Sequence, residues 1–142
     1  MRKLISGFFI SLLFAGCELA DTHMGDPTST TLQPGTYEGI MIFKDMNLQT
    51  RQVLNQAGGY TLSAFVECEI LAFDGDWSSD GKSLDLALRE SRERDYCGGP
   101  LTQSTEAKTA SFPIRNLTFA SFEMFWPSSS QSAAQWIVYR RK

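Results

Sequence analysis

Asp74, Asp76, Ser78 and Asp80 alternate along the chain with the spacing of the first ligands of a calcium-binding loop. Two required places fail. Ser79 stands where such a loop needs a glycine for its sharp turn, and Asp85 replaces the final bidentate glutamate. A hairpin connection ending in Asp80-Gly81 explains the same residues without a metal, with Trp77 pinning it to the core. The overlapping Ser79-x-x-Lys82 could pair a serine nucleophile with a lysine base. Such a lysine must be desolvated, and Lys82 falls in a turn-forming Ser-Asp-Gly-Lys stretch. His23 is the only histidine, and it lies in a polar segment where nothing holds it against a serine or cysteine. Glu67 and Glu69 share the water-facing side of a strand pattern, where two carboxylates do not acquire the separate pKa values of an acid and a base. The expectation is no enzyme, no catalytic residue, no metal and no cofactor.

The three cysteines carry the remaining chemistry. Cys17 ends an apolar run, 4–14, that follows Arg2 and Lys3, the layout of a secretory signal peptide too short to span a bilayer. Phe14-Ala15-Gly16-Cys17 resembles the lipobox of bacterial lipoproteins, with Phe14 where leucine is usual. The resemblance implies that residues 1–16 are removed and that Cys17 is lipidated on sulfur and on its new amino group. Several acyl chains on one residue anchor stably, whereas one binds only marginally. Glu18, in place of the aspartate that favours inner-membrane retention, leans the expectation toward an outer-membrane anchor facing the periplasm. With Cys17 assigned to lipid, Cys68 and Cys97 remain as an even pair in an oxidising compartment, and a disulfide is expected. The rival, a reactive Cys97 in Tyr-Cys-Gly-Gly-Pro, is weaker. Glu90, Glu93 and Asp95 disfavour a thiolate as much as Arg92 and Arg94 favour it.

Loss of Arg2 and Lys3 with no acid takes the formal charge from −3 to −5 for 17–142. A mildly acidic chain lacks the footprint of a nucleic-acid binder. Residues 18–34 are polar, with an Asp-Pro-Thr-Ser-Thr-Thr run, and predict a flexible tether. Together with Cys17 they form a 17–34 segment ahead of one domain at 35–142.

Those residues must be positioned by strands, because the hydrophobic period is two. Tyr60, Leu62, Ala64, Val66, Cys68, Ile70 and Ala72 alternate with polar residues and predict one extended strand that points Cys68 into the core. Leu84, Leu86 and Leu88 predict another, although Leu84 and Leu88 would also share a helix face. Further strands are expected at 37–43, 49–54, 105–112, 117–125 and 135–140, separated by Gly-, Asp- and Ser-rich turns. The fold class expected is all-β, an antiparallel curled sheet or small closed barrel of about seven to eight strands. The motif order Gly-Thr-Tyr-Glu-Gly, Gly-Gly-Tyr-Thr-Leu, Gly-Asp-Trp, Ser-Asp-Gly-Lys-Ser-Leu-Asp-Leu and Trp-Ile-Val-Tyr-Arg-Arg is similar to that of small lipocalin-like lipoprotein barrels.

The charged run at 89–95, Arg-Glu-Ser-Arg-Glu-Arg-Asp, is expected to be a solvated strand end or loop, with a docking patch as the sharper alternative. Phe119, Phe122, Phe125 and Trp126 form the densest aromatic segment and are the candidate ligand or partner patch. An eight-stranded barrel is only just wide enough for side chains to fill. The leading expectation is therefore a membrane-anchored protein-interaction, inhibitor-like or structural module with an envelope partner. The alternative is a lipocalin-like binder of a small apolar ligand.

Overall fold

A computed structural model describes residues 28–142, among which the regular elements are all strands. The alternating segments become β1 (Gly35–Phe43), β2 (Met46–Leu54), β3 (Gly59–Phe65), β4 (Glu69–Ser79), β5 (Ser83–Glu93), β6 (Thr102–Ser104), β7 (Lys108–Arg115), β8 (Ser121–Trp126) and β9 (Gln135–Arg141). Each pairs antiparallel with its neighbour, β4 pairs with β5, and β9 returns to β1. Eight strands therefore close into an up-and-down barrel, leaving no long open edge. The short β6 extends the ladder on the last residues of β5.

Alternate residues face inward and form one core. Tyr37, Met41, Leu48, Leu54, Leu62, Leu84, Phe122, Met124, Ile137 and Tyr139 are all buried. Phe122 stacks on Tyr139 at 5.4 Å and meets the edge of Tyr37 at 5.0 Å. The alternation at Leu84, Leu86 and Leu88 resolves as the strand β5.

The closure at β1 and β9 is narrow. Ladder pairing covers Tyr37 with Arg141 and Glu38 with Arg140. Further along, the Gln135 side-chain amide replaces it, accepting from the Ile42 N–H at 2.9 Å and donating to the Ile42 carbonyl at 2.8 Å.

The antiparallel order puts the connections at 44–45, 66–68, 94–107 and 127–134 at one end of the barrel. The other end carries the turns at 55–58, 80–82 and 116–120, and it is plugged. Residues 28–34 cross it as a strap: Thr28 bridges Thr118, Ser29 N–H donates to the Leu117 carbonyl, and Leu32 enters the core. Gly81, at φ +86°, makes room for the strap. A side chain there would approach the Thr30 carbonyl oxygen to 2.2 Å. The polarity of 18–34 predicts a tether up to Gly35, but 28–34 pack because one apolar residue, Leu32, suffices to close a barrel end. The remainder of that segment, with Cys17 and His23, lies outside the described residues.

The strand predicted over 60–72 is two strands. The chain reverses at 66–68, where Val66 N–H donates to the Cys68 carbonyl and a bulge breaks the register after Ala64. Ala64 pairs with Leu71 and Leu62 with Phe73, so Ile70 and Ala72, expected on the same face as Leu62 and Ala64, take the other one. Ile70, Leu71, Ala72 and Phe73 are all apolar and hide the change, and Val-Glu-Cys carries no glycine, proline or asparagine to mark the turn. The strand predicted over 117–125 begins only at Ser121. Asn116 adopts φ 52°, and the Thr118 hydroxyl accepts from the N–H groups of Ala120 and Ser121.

Candidate functional site

The open end of the barrel holds a cavity of about 360 Å³, walled by Leu71, Phe73, Leu86, Leu88, Phe112 and Trp126. Trp126 stacks on Phe112 at 5.2 Å and 9°, and on Phe73 at 6.3 Å and 28°. Ser128, Ser129 and Gln131 of the 127–134 connection form part of the rim. Three rings from three strands line one cup because Phe73, Phe112 and Trp126 occupy inward positions on β4, β7 and β8.

Tyr60 also reaches the cup and donates its hydroxyl to Gln52 Oε1 at 3.0 Å. Burial pushes the Tyr60 phenol well above its ordinary pKa, and the nearby Tyr139 adds to the effect. Tyr139 is pushed up to about 12 by burial, with Thr50 opposing the shift. Behind the cup, Gln52 Nε2, Thr50 Oγ1 and Tyr139 Oη are buried without well-formed hydrogen bonds.

Among the described residues the single charged group on the cup wall is Glu93. Sequence alternation assigns it to a solvated run, yet it points inward beside Leu71, its register partner on β4. The cause is a register shift: Gly75 pairs with Leu88 and Asp74 with Glu90, so Arg89 is an extra residue on β5. One inserted residue reverses which side chains face in, moving the inward set from Leu84, Leu86 and Leu88 to Ser91 and Glu93. Of the other charges of the run, Arg89 pairs with Asp76, and Arg94 has its Nε buried without a hydrogen-bond partner. Arg92 joins Glu69 at 3.2 Å, Asp74 at 3.3 Å and Glu90 at 3.1 Å, and the Glu69 hydrogen bond is the main cause raising its pKa.

Cys68 and Cys97 are joined, with Cα atoms 5.8 Å apart, and the bridge ties the 66–68 hairpin to the 94–107 connection at the cup end. Cys68 is partly buried against the core, at the barrel rim.

The four candidate aromatics do not form one patch. Phe122 is sealed in the core, Trp126 lines the cup, Phe125 packs on Trp136 outside at 5.2 Å, and Phe119 sits 49% exposed in the turn at the opposite end. Successive strand residues point to opposite faces, so only Trp126 reaches the cavity. Phe73, Phe112, Tyr60 and Glu93 are the residues sequence reasoning missed. Phe112, two residues before the buried Ile114 on β7, could have been found by parity, whereas Phe73 faces inward only because of the unforeseen reversal at 66–68.

The acidic series does not converge on a point. Asp74 and Asp76 lie along β4, paired with Arg92 and Arg89. Asp80 accepts from the N–H groups of Lys82 and Ser83, which lowers its pKa. Ser79 donates its hydroxyl to the Ser83 carbonyl at 2.6 Å. Among the described residues no three His, Cys, Asp or Glu side chains are grouped to hold a metal ion.

On the outer face of β9, β1 and β2, Ile40, Ile42, Trp136 and Val138 are exposed. All but Ile42 border a groove of about 500 Å³ with Gln49, Phe65 and Arg140. The Arg115 guanidinium lies over Trp136 at 3.8 Å.

Fold and site together define a class: a small closed antiparallel barrel, plugged at one end and cupped at the other. No family model, no curated protein and no solved structure matches the chain.

Proposed function

We propose that this chain is a lipid-anchored bacterial envelope lipoprotein whose lipocalin-like barrel binds a small apolar ligand and performs no catalysis. The observation that carries the binding reading is the cup. An apolar cavity of about 360 Å³ with a few polar groups at its edge falls within the size range of small-molecule sites, roughly 300–1,000 Å³. The rest of the interior is filled by Tyr37, Phe122, Tyr139 and their neighbours. The address rests on the signal-peptide layout and on Ala15-Gly16-Cys17. The test is titration of the full chain with N-phenyl-1-naphthylamine, followed by fluorescence. One molecule should bind per chain, and Ala110→Trp, which fills the cup from β7, should abolish binding while the protein stays folded. Absence of binding, or binding undiminished in Ala110→Trp, would refute this reading.

The second reading, a protein-interaction, inhibitor-like or structural module with an envelope partner, is favoured by the exposed Ile40, Ile42 and Val138 beside the outer groove. It predicts that Ile40→Asp releases an envelope protein otherwise recovered by cross-linking, whereas Ala110→Trp does not.

A further inference from the structure

We infer that the cup selects a cationic guest: an apolar body, preferably aromatic, that carries a protonated amine or a quaternary ammonium group. This rests on the ligand-cup reading and narrows it to a chemical class.

Glu93 is the one charged side chain on the cavity wall among the described residues. It is half-buried, and Arg92 is engaged with Glu69, Asp74 and Glu90, Arg89 with Asp76, and Lys44 with Asp95, while the adjacent Arg94 keeps its Nε buried without a hydrogen-bond partner and does not line the cavity. Among the described residues no ion pair reaches Glu93. A carboxylate partly withdrawn from water gains most from a counter-charge that enters the same low-dielectric space.

The surrounding wall fits that counter-charge. Phe73, Phe112 and Trp126 present aromatic surface, which attracts cations, and among the described residues no positive side chain lines the cavity. An anionic head group, such as that of a fatty acid, would meet Glu93 and nothing to neutralise it. Acid and rings are brought together by the Arg89 bulge, without which Glu93 would face solvent.

Phenyltrimethylammonium and its neutral isostere tert-butylbenzene separate charge from shape, and 4-tert-butylbenzoate supplies the opposite sign. Each is titrated into the full chain with the disulfide intact, followed by amide chemical shifts of cup residues. The cation should bind about tenfold tighter than the isostere, and the anion should bind most weakly. Glu93→Gln should remove the advantage of the cation and leave the affinity of the isostere unchanged. Raising the salt concentration on the wild-type chain should weaken the cation alone, a measurement that needs no variant. Equal affinity for cation and isostere, or a preference that survives in Glu93→Gln, overturns the inference while the apolar-cup reading stands. Binding of none of the three overturns both.

Discussion

Truncating Leu32 tests whether the strap is part of the fold. Leu32 is 2% exposed and belongs to the core cluster although it precedes the first strand. Leu→Ala in a buried site that cannot collapse costs about 3–5 kcal/mol, the transfer of the lost methyl groups plus the cavity left behind. The strap is tied by the Thr28–Thr118 bridge and the Ser29–Leu117 hydrogen bond and can relax somewhat, so the lower figure applies. An unfolding entropy of about 2.1 cal/mol/K per residue over about 115 residues turns about 3 kcal/mol into a melting point lower by about 12 °C. The assay is urea and thermal unfolding of the full chain with the bridge intact, beside Thr31→Ala, an exposed neighbour, as control. Thr31→Ala should stay within about 0.5 kcal/mol of wild type. If Leu32→Ala does the same, the strap contributes nothing and 28–34 behave as a tether.

Three further outcomes are expected. Cys68→Ser with Cys97→Ser frees a loop closed over a separation of 29 residues, which on the chain-entropy account costs about 3.6 kcal/mol; urea unfolding measures it, and thiols in freshly isolated protein that alkylate quantitatively would exclude the bridge. Tyr139, held up to about 12 by burial, contributes stability that is complete below its unfolded value near 10 and is lost as pH rises toward 12. Melting between pH 9 and pH 12 should show a loss on the order of 3 kcal/mol that Tyr139→Phe reduces, and an identical decline in Tyr139→Phe would refute the assignment. Cys17→Ser should abolish labelling by an alkyne fatty acid and release soluble protein, and a mutant that still labels would remove the lipid from Cys17.

The period-two alternation made the strands legible, because one face of each is buried and side-chain parity follows directly from sequence. Leu84, Leu86 and Leu88 show this: the helical alternative vanishes once β4 and β7 pair on either side. Alternation fails where chain direction or parity changes without a local marker. The 66–68 reversal moves the inward set from Leu62 and Ala64 to Leu71 and Phe73, and the unbroken apolar run from Ile70 to Phe73 hides it. The Arg89 bulge inverts the pattern within a charged run, concealing the side chain that gives the cup its charge. Leu32 was hidden for another reason, since a lone apolar residue in a polar segment has no period at all. The disulfide needed no geometry to be expected, because once Cys17 is assigned to lipid, Cys68 and Cys97 are the even pair that remains.

The two ends of the barrel bear on how the proposed anchor and the proposed cup work together. The strap enters at the plugged end, beside Leu117 and Thr118, and the cup opens at the other, beside the disulfide and the 127–134 connection. The described chain thus begins at the closed end, opposite the cup mouth. Water-soluble guests with an apolar body are usually charged, and of the two signs only a cation is complemented by Glu93 and the aromatic wall. The proposed guest is accordingly an amine, whose charge Glu93 and the aromatic wall complement together.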